Sequence, residues 1–477
     1  MIATTRYFVG GCLVALAIAA APEQRAVCAD GAEFFSLSRD QYADRLEGFW
    51  LGQSIANWTG LVTEMDFWLG QSIANWTGLV TEMDKIGGDG PAGEFYTRDD
   101  WGKPDQPNIW SGERSSLSPT IDWVFEEPDG VWGADDDTDI EYLYQHLLLT
   151  HRTSRLTGEQ IRAGWLRHIY SDEDTPFRNA NGEPENFLWV SNQRAFDLMS
   201  EQGLVPPATS DPQLNAHVEM IDALAAEFYV IMHSLASVTD AGQSMKERVH
   251  WLAAEARKHL PEASYTAKRF DFVKSRYTAG VPWEQARDDV YRRYQVDLQD
   301  GYDIASRDMI CNGCFASGIN FAASIVSLLY GEGDYKQTVK IAVLAGWDSD
   351  NPAATWGGLL GFLLGKEGLE NVFARKFSNR FNIHRTRKGF PVPGGIDTFA
   401  DMARNGIRIV DRVVRDETGG HVSEQDDTWQ IPWQSNKRPI SSRFSSDCMR
   451  LRGACQSYAR NRAPSWEAVP TTAPGRP

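Results

Sequence analysis

Histidine and cysteine are scarce in this 477-residue chain, with nine of the first and six of the second. A zinc centre built from nitrogen and sulfur donors therefore has little to draw on. Long apolar runs are also few. The longest is N-terminal and falls short of the roughly 20 apolar residues that a membrane-spanning helix needs. Positive charge is short as well, since 47 Lys and Arg against 65 Asp and Glu leave a net charge of −18. A surface of that sign repels polyanions and excludes nucleic acid as a partner. Long alternating strand patterns are missing too. Apolar residues instead recur at spacings of three and four, in Ile221-Leu224-Ala225-Phe228-Ile231-Met232, in Ile319-Ala322-Ile325-Leu328-Leu329 and in Val372-Phe373-Phe377. That is the period of helices packed on a core. Hydrophobic residues at 42%, with 17 Trp, suffice for a large core and an aromatic-lined cleft.

The N-terminal apolar run, Tyr7 to Ala21, follows Arg6 and is too short to span a bilayer. Ala26-Val27-Cys28-Ala29 then supplies small side chains for cleavage after Ala29, the pattern of a secretory signal peptide over 1–29. The mature chain is expected to be exported, secreted or periplasmic, soluble and free of the membrane. Beyond the leader the cysteines are Cys311-x-x-Cys314, Cys448 and Cys455, an even number suited to local disulfides or buried thiols. A thioredoxin-like role lacks the surrounding strand and helix pattern. From about Val414 the periodicity fades, and 415–477, rich in Ser, Pro and Arg, reads as an extended or disordered tail.

One internal feature is unusual. Residues 49–66 recur without change at 67–84. Perfect identity over 18 residues, in two copies only, points to a recent tandem duplication or an assembly error. Eighteen residues are five helical turns at about 3.6 per turn, so a helical insertion keeps its faces in phase.

Two acid clusters carry the chemistry. Asp135-Asp136-Asp137-Thr138-Asp139 opens the helical pattern Ile140, Leu143, Tyr144, Leu147, Leu148. Asp348-Ser349-Asp350-Asn351 precedes Pro352 and a small-residue run through Gly361. Both stand where capping carboxylates and an N1 proline belong, so each alone is explained as a solvated helix cap. Adjacent carboxylates that converge repel one another and require a cation, and hard divalent ions take such oxygen ligands. Two matching helix starts therefore favour metal binding. A calcium hand is excluded, because no glycine stands at the sixth loop position and no glutamate at the twelfth.

The motifs Asp135-Asp136-Asp137-Thr138 and Gly346-Trp347-Asp348-Ser349-Asp350-Asn351 resemble those of the ADP-ribosylglycohydrolases, an all-helical dinuclear-metal family that removes ADP-ribose from modified side chains. A third family element, Gly-x-x-x-Gly-Asp-x-x-Gly-x-x-x-Glu, has its counterpart at Gly70 to Asn75, Gly78 and Glu82. Over about 40–410 the resemblance implies an all-α, compact multi-helix domain with a dinuclear metal site at helix N-termini, bounded here as 30–414. It implies two Mg²⁺ or Mn²⁺ ions held by Asp135, Asp136, Asp137, Asp348, Asp350 and Asn351. Glu82, Asp137 and Asp350 are the expected catalytic residues. Glu64 is the duplicate of Glu82, which is preferred because it runs straight into the loop before the first acid cluster. Three departures stand out: Asp135 and Asn351 replace the family's hydroxyl or thiol residues, Asn75 replaces an Asp, and the Gly-Asn-Gly type phosphate loop is not clearly present.

The expected activity is metal-dependent hydrolysis of an N- or O-glycosidic bond at a ribose-like sugar by a monomer acting on a small-molecule, glycosylated or ADP-ribosylated substrate. The alternatives are an exported glycosidase for other furanosides or nucleosides, and a non-catalytic ligand-binding or structural relative. The segment 187–192, Phe-Leu-Trp-Val-Ser-Asn, either lines a substrate pocket or is an ordinary helix entry.

Overall fold

The computed structural model describes residues 25–27, 33–64, 95–104, 118–134 and 136–432, the last stretch with gaps at 179–181, 183, 187, 189, 212, 216–217, 219–221, 239–241, 302–315 and 384–386. At 25–27, 33–34, 57–64, 136–137, 190, 222 and 301 it describes the backbone alone. All belong to one unit, 1–433, and the second unit, 434–477, lies outside the described residues. Cys311, Cys314, Cys448 and Cys455 fall outside as well.

The described chain begins with strands β1 (Arg25–Val27) and β2 (Glu33–Ser38), followed by helix α1 (Arg39–Glu64). Strand β3 (Trp132–Gly133) leads into α2 (Asp136–His151), α3 (Gly158–His168), α4 (Val190–Ser200), α5 (Asp222–Ala236), α6 (Met245–Arg257), α7 (Tyr265–Thr278) and α8 (Trp283–Tyr291). Next come α9 (Ser317–Gly331), α10 (Tyr335–Ala345) and α11 (Asp350–Phe373). Strands β4 (Arg380–Asn382) and β5 (Ile396–Thr398), helix α12 (Phe399–Val413) and strands β6 (His421–Ser423) and β7 (Thr428–Pro432) complete it. The fold is mostly helical, as the apolar spacing implies.

Helices α1 and α11 form its centre, and glycine lets their backbones touch. A Cβ on Gly48 would sit 2.3 Å from the Gly361 carbonyl oxygen, and one on Gly52 would sit 2.3 Å from that of Gly357. Residue numbers rise along α1 as they fall along α11, so the pair is antiparallel. Around them pack the apolar faces of α9 and α10, both almost wholly buried. Helix α11 breaks once, at Gly365, whose φ of 71° and ψ of 170° leave the helical region. Asp44 of α1 accepts hydrogen bonds from the Lys366 and Glu367 backbone N–H groups just beyond the break. Its carboxylate thus caps the renewed helix, with its pKa raised chiefly by burial.

Two small sheets flank the helices. One has the order β1-β2-β7-β6, all antiparallel. In it Phe35 pairs with Ile431 and Leu37 with Trp429, across almost the whole chain. The Trp429 indole N–H donates to Asp411 Oδ1 at 2.7 Å, and Arg39 donates to the same carboxylate at 2.9 and 3.0 Å. The other sheet, β3-β4-β5, pairs β3 with β4 in parallel.

The domain boundary expected at 414 is corrected by this sheet. Residues 415–432 are not part of a disordered tail: a π-turn over Val414–Thr418 continues α12, and β6 and β7 then fold back onto β2. Strand β1 lies inside the segment read as a signal peptide. Cleavage after Ala29 would remove this edge strand and leave β2, β7 and β6 paired.

Candidate functional site

The second acid loop is held from several sides. Helix α10 ends at Gly346, in the left-handed region at φ 84° and ψ 19°, where a side chain would be strained. Trp347 is then buried, its indole N–H donating to Gln295 Oε1 at 2.8 Å. The Asp348 backbone N–H donates to Asn320 Oδ1 at 3.1 Å, while the Asn320 amide donates to the Ala316 carbonyl, which sets which end of the amide faces the loop. Ser349 Oγ donates to the Trp347 carbonyl at 3.0 Å. Asp350 opens α11 and is buried at 7% exposure, whereas Asp348 and Asn351 are half-buried. One turn further on, the Trp356 indole N–H donates to the Ser324 carbonyl at 2.7 Å and ties α11 to α9.

Arg287 braces the same loop from behind. Its guanidinium is buried, lies 4.4 Å from the Phe95 ring centre and 5.3 Å from that of Trp283, and donates to the carbonyls of Tyr96 and Leu344. Burial lowers its pKa. Phe95 in turn meets Trp347 edge to face, 5.5 Å between ring centres. Asn320, Gln295 and Arg287 escaped the sequence reading because each lies outside the motif it supports. The only trace of Asn320 is a lone amide among the small and apolar residues of α9.

The first acid cluster opens α2. Ala134, just ahead of it, donates its N–H to the Asn382 carbonyl at 3.0 Å, which anchors the entry to the β3-β4-β5 sheet. Asp135 lies outside the described residues; Asp136 and Asp137 are in the first turn of α2 with their side chains outside them. Thr138 and Asp139 are buried. Asp139 Oδ2 lies 3.2 Å from Arg387 Nε, both side chains fully buried. In the second turn Glu141 accepts from Gln53 Nε2 of α1 at 2.9 Å.

These contacts place the two helix starts at the same end of α1. Gln53 touches Glu141, while Leu46, seven residues earlier, packs beside Gly406 together with Gln145. Helix α2 is therefore antiparallel to α1, as α11 is. Helices rise equally per residue, so the pairing of Gly52 with Gly357 carries on one for one. The backbone at 349–350 then falls level with residues 59–60 of α1, about one turn before its end at Glu64. Glu64 belongs to the first copy of the repeat, and its side chain is not described; Glu82 lies outside the described residues. Among the described residues no group of three or more His, Cys, Asp or Glu gathers closely enough to hold a metal. Asp348 and Asp350 alone do not complete a centre. In the 187–192 segment, Leu188 and Asn192 are buried, and Phe187 and Trp189 lie outside the described residues.

The fold and site thus define a mostly helical protein with two acid-bearing helix starts at one end of a central helix pair. The ADP-ribosylglycohydrolase profile matches residues 38–390, and the chain belongs to that family. The family acts on ADP-ribosylated substrates and is generally metal-dependent. No curated protein and no solved structure matches the chain. No helix among the described residues is long and apolar enough to cross a membrane.

Proposed function

We propose that the chain is a metal-dependent hydrolase that cleaves an N- or O-glycosidic bond at a ribose-like sugar. The observation that supports it most is the common end of α1 shared by both acid-bearing helix starts. The donor set fits hard divalent ions such as Mg²⁺ or Mn²⁺, since carboxylate and amide oxygens are what they prefer. Asp136 and Asp137, supplemented by Asp135, would hold one ion, and Asp348 and Asn351 the other, with Asp350 between them. Bound there, the ions would supply Lewis acidity and an activated water.

The residues of the chain account for the rest. Carboxylates beside the anomeric carbon favour the oxocarbenium-like transition state of glycosidic cleavage. Asp137 and Asp350 would provide that charge. A glutamate of the duplicated segment, Glu82 by sequence or its twin Glu64 at the end of α1, would accept or donate the proton at the leaving atom. Asn320, Gln295 and Arg287 hold the second loop in place, so little reorganisation is needed when substrate arrives.

A second reading changes the substrate. The leader and the unclear phosphate loop favour furanosides or nucleosides in an exported compartment over ADP-ribosylated protein. A hydrolysis screen with Mg²⁺ or Mn²⁺ separates the two, using ADP-ribosyl-arginine, ADP-ribosyl-serine, nucleosides and aryl furanosides. Turnover of any of these that is lost on chelation supports the hydrolase. Turnover confined to nucleosides or furanosides selects the second reading. Binding without turnover across the panel would leave a non-catalytic relative.

A further inference from the structure

We propose that Arg387 is a positioning residue for the first acid cluster, acting through its buried ion pair with Asp139. The inference rests on the reading of the two helix starts as one metal centre. The first turn of a helix has no preceding turn to satisfy its N–H groups, so its orientation is set from outside. Around α2 that outside support is specific. Arg387 Nε lies 3.2 Å from Asp139 Oδ2 with both side chains at 0% exposure, and Arg387 Nη1 donates to the Asn186 carbonyl at 2.9 Å. Its backbone bridges to Ile169, and the next residue, Lys388, donates its N–H to the His168 carbonyl at 2.8 Å. Phe390 then stacks on the His168 ring, 4.8 Å between centres and 19° between planes, and meets Tyr142 and His146 of α2 edge to face. Residues 387–390 thus form a strap along α2 from Asp139 to His146, pinned by a cation at the acid end.

Asp139 lies three residues after Asp136 and two after Asp137, in the same rigid turn. The ion pair holds Asp139 against Arg387 and so makes the last acid of the motif a lever on Asp136 and Asp137 in the same turn. A guanidinium is suited to this because it keeps the ion pair with Asp139 while its Nη1 donates to the Asn186 carbonyl, whereas an apolar pair in the same volume makes neither contact.

That difference gives the test. Removing one partner of a buried pair strands a charge, whereas replacing both with apolar residues is often neutral for stability. Mn²⁺ affinity by isothermal titration and the melting temperature of the metal-free protein are measured for the wild type, Arg387→Lys, Arg387→Met and the double variant Arg387→Met/Asp139→Leu. The expected result is a lowered melting temperature for Arg387→Met, recovered in the double variant. Mn²⁺ affinity is expected to fall about 10-fold, the low end of the effect of losing a partner that touches a ligand directly, and to stay low in the double variant. Arg387→Lys, which keeps the charge, is expected to hold an intermediate affinity. Affinity that returns together with melting temperature in the double variant would reduce the pair to a packing role and overturn the inference. So would wild-type affinity in a folded Arg387→Met. A wild type that binds no Mn²⁺ would remove the metal reading itself, and this inference with it.

Discussion

Gln53 Nε2 donates to Glu141 Oε2 at 2.9 Å, and this contact joins the duplicated segment to the helix that carries the first acid cluster. Gln53 belongs to the first copy of the repeat; Gln71 is its twin in the second. A hydrogen bond to a charged group contributes about 1.5–3 kcal/mol. Gln53→Ala is expected to lower stability by an amount near the lower bound, because Glu141 is partly exposed. Gln71→Ala is expected to change it much less. Denaturant melts of the two variants check this, and equal losses would show that both copies are seated alike.

In the proposed mechanism the two copies compete for one catalytic position. Deleting 49–66 or 67–84 yields the same polypeptide, so a deletion cannot say which copy is used, although it is expected to keep or raise melting temperature and activity. Point substitutions can say. Glu64 ends α1 about one turn beyond the level of 349–350, which favours the first copy for the proposed role. Glu64→Gln should therefore cost at least about 100-fold in hydrolysis, the lower range for a general acid or base, while Glu82→Gln stays near wild type. The reverse result would return the role to Glu82.

The touching backbones of α1 and α11 leave no room for a side chain. A Cβ on Gly361 would lie 2.1 Å from the Gly48 carbonyl oxygen. Gly361→Val is expected to destabilise the protein by more than the roughly 1–3 kcal/mol of ordinary overpacking, since backbone rather than a movable side chain stands in the way. A melting temperature within a degree or two of wild type would mean that the helices separate at little cost.

Acid sensitivity should appear at His146. Burial, then the nearby His168 and Arg167, lower its pKa from the ordinary value to about 4. The unfolded chain keeps a value near 6.5 and so binds more protons between about pH 4 and 6.5. Stability from this group is whole above about pH 6.5 and declines as pH falls towards 4. His146→Phe should flatten the melting temperature profile across that window. An unchanged slope would assign the acid sensitivity to other groups, such as His233, whose burial also lowers its pKa to about 4.

The helices were legible in the sequence because their cause is local. The spacing of Phe228, Ile231 and Met232 marks α5, and the run of small residues after Pro352 marks a helix approached closely by another. The sheet that closes the fold was not legible, because Leu37 and Trp429 stand almost 400 residues apart and the strands are too short to show alternation. That is also why 415–432 read as a tail. At the site, the acid clusters announced themselves as dense motifs. Asn320, Gln295 and Arg387 did not, since a lone polar residue acquires its meaning only from the partner that the fold supplies.

In the proposed function the acid clusters at 135–137 and 348–351 form one centre for two ions. Electron paramagnetic resonance of the Mn²⁺-loaded protein tests it most directly, because two ions about 4 Å apart couple magnetically and distant ones do not. The expected result is two Mn²⁺ per chain with the coupled signal, and loss of coupling together with metal-dependent hydrolysis in Asp350→Ala, whose helical content stays intact. Two ions giving only the signal of isolated Mn²⁺, or an Asp350→Ala variant that keeps the coupled signal and full turnover, would contradict it.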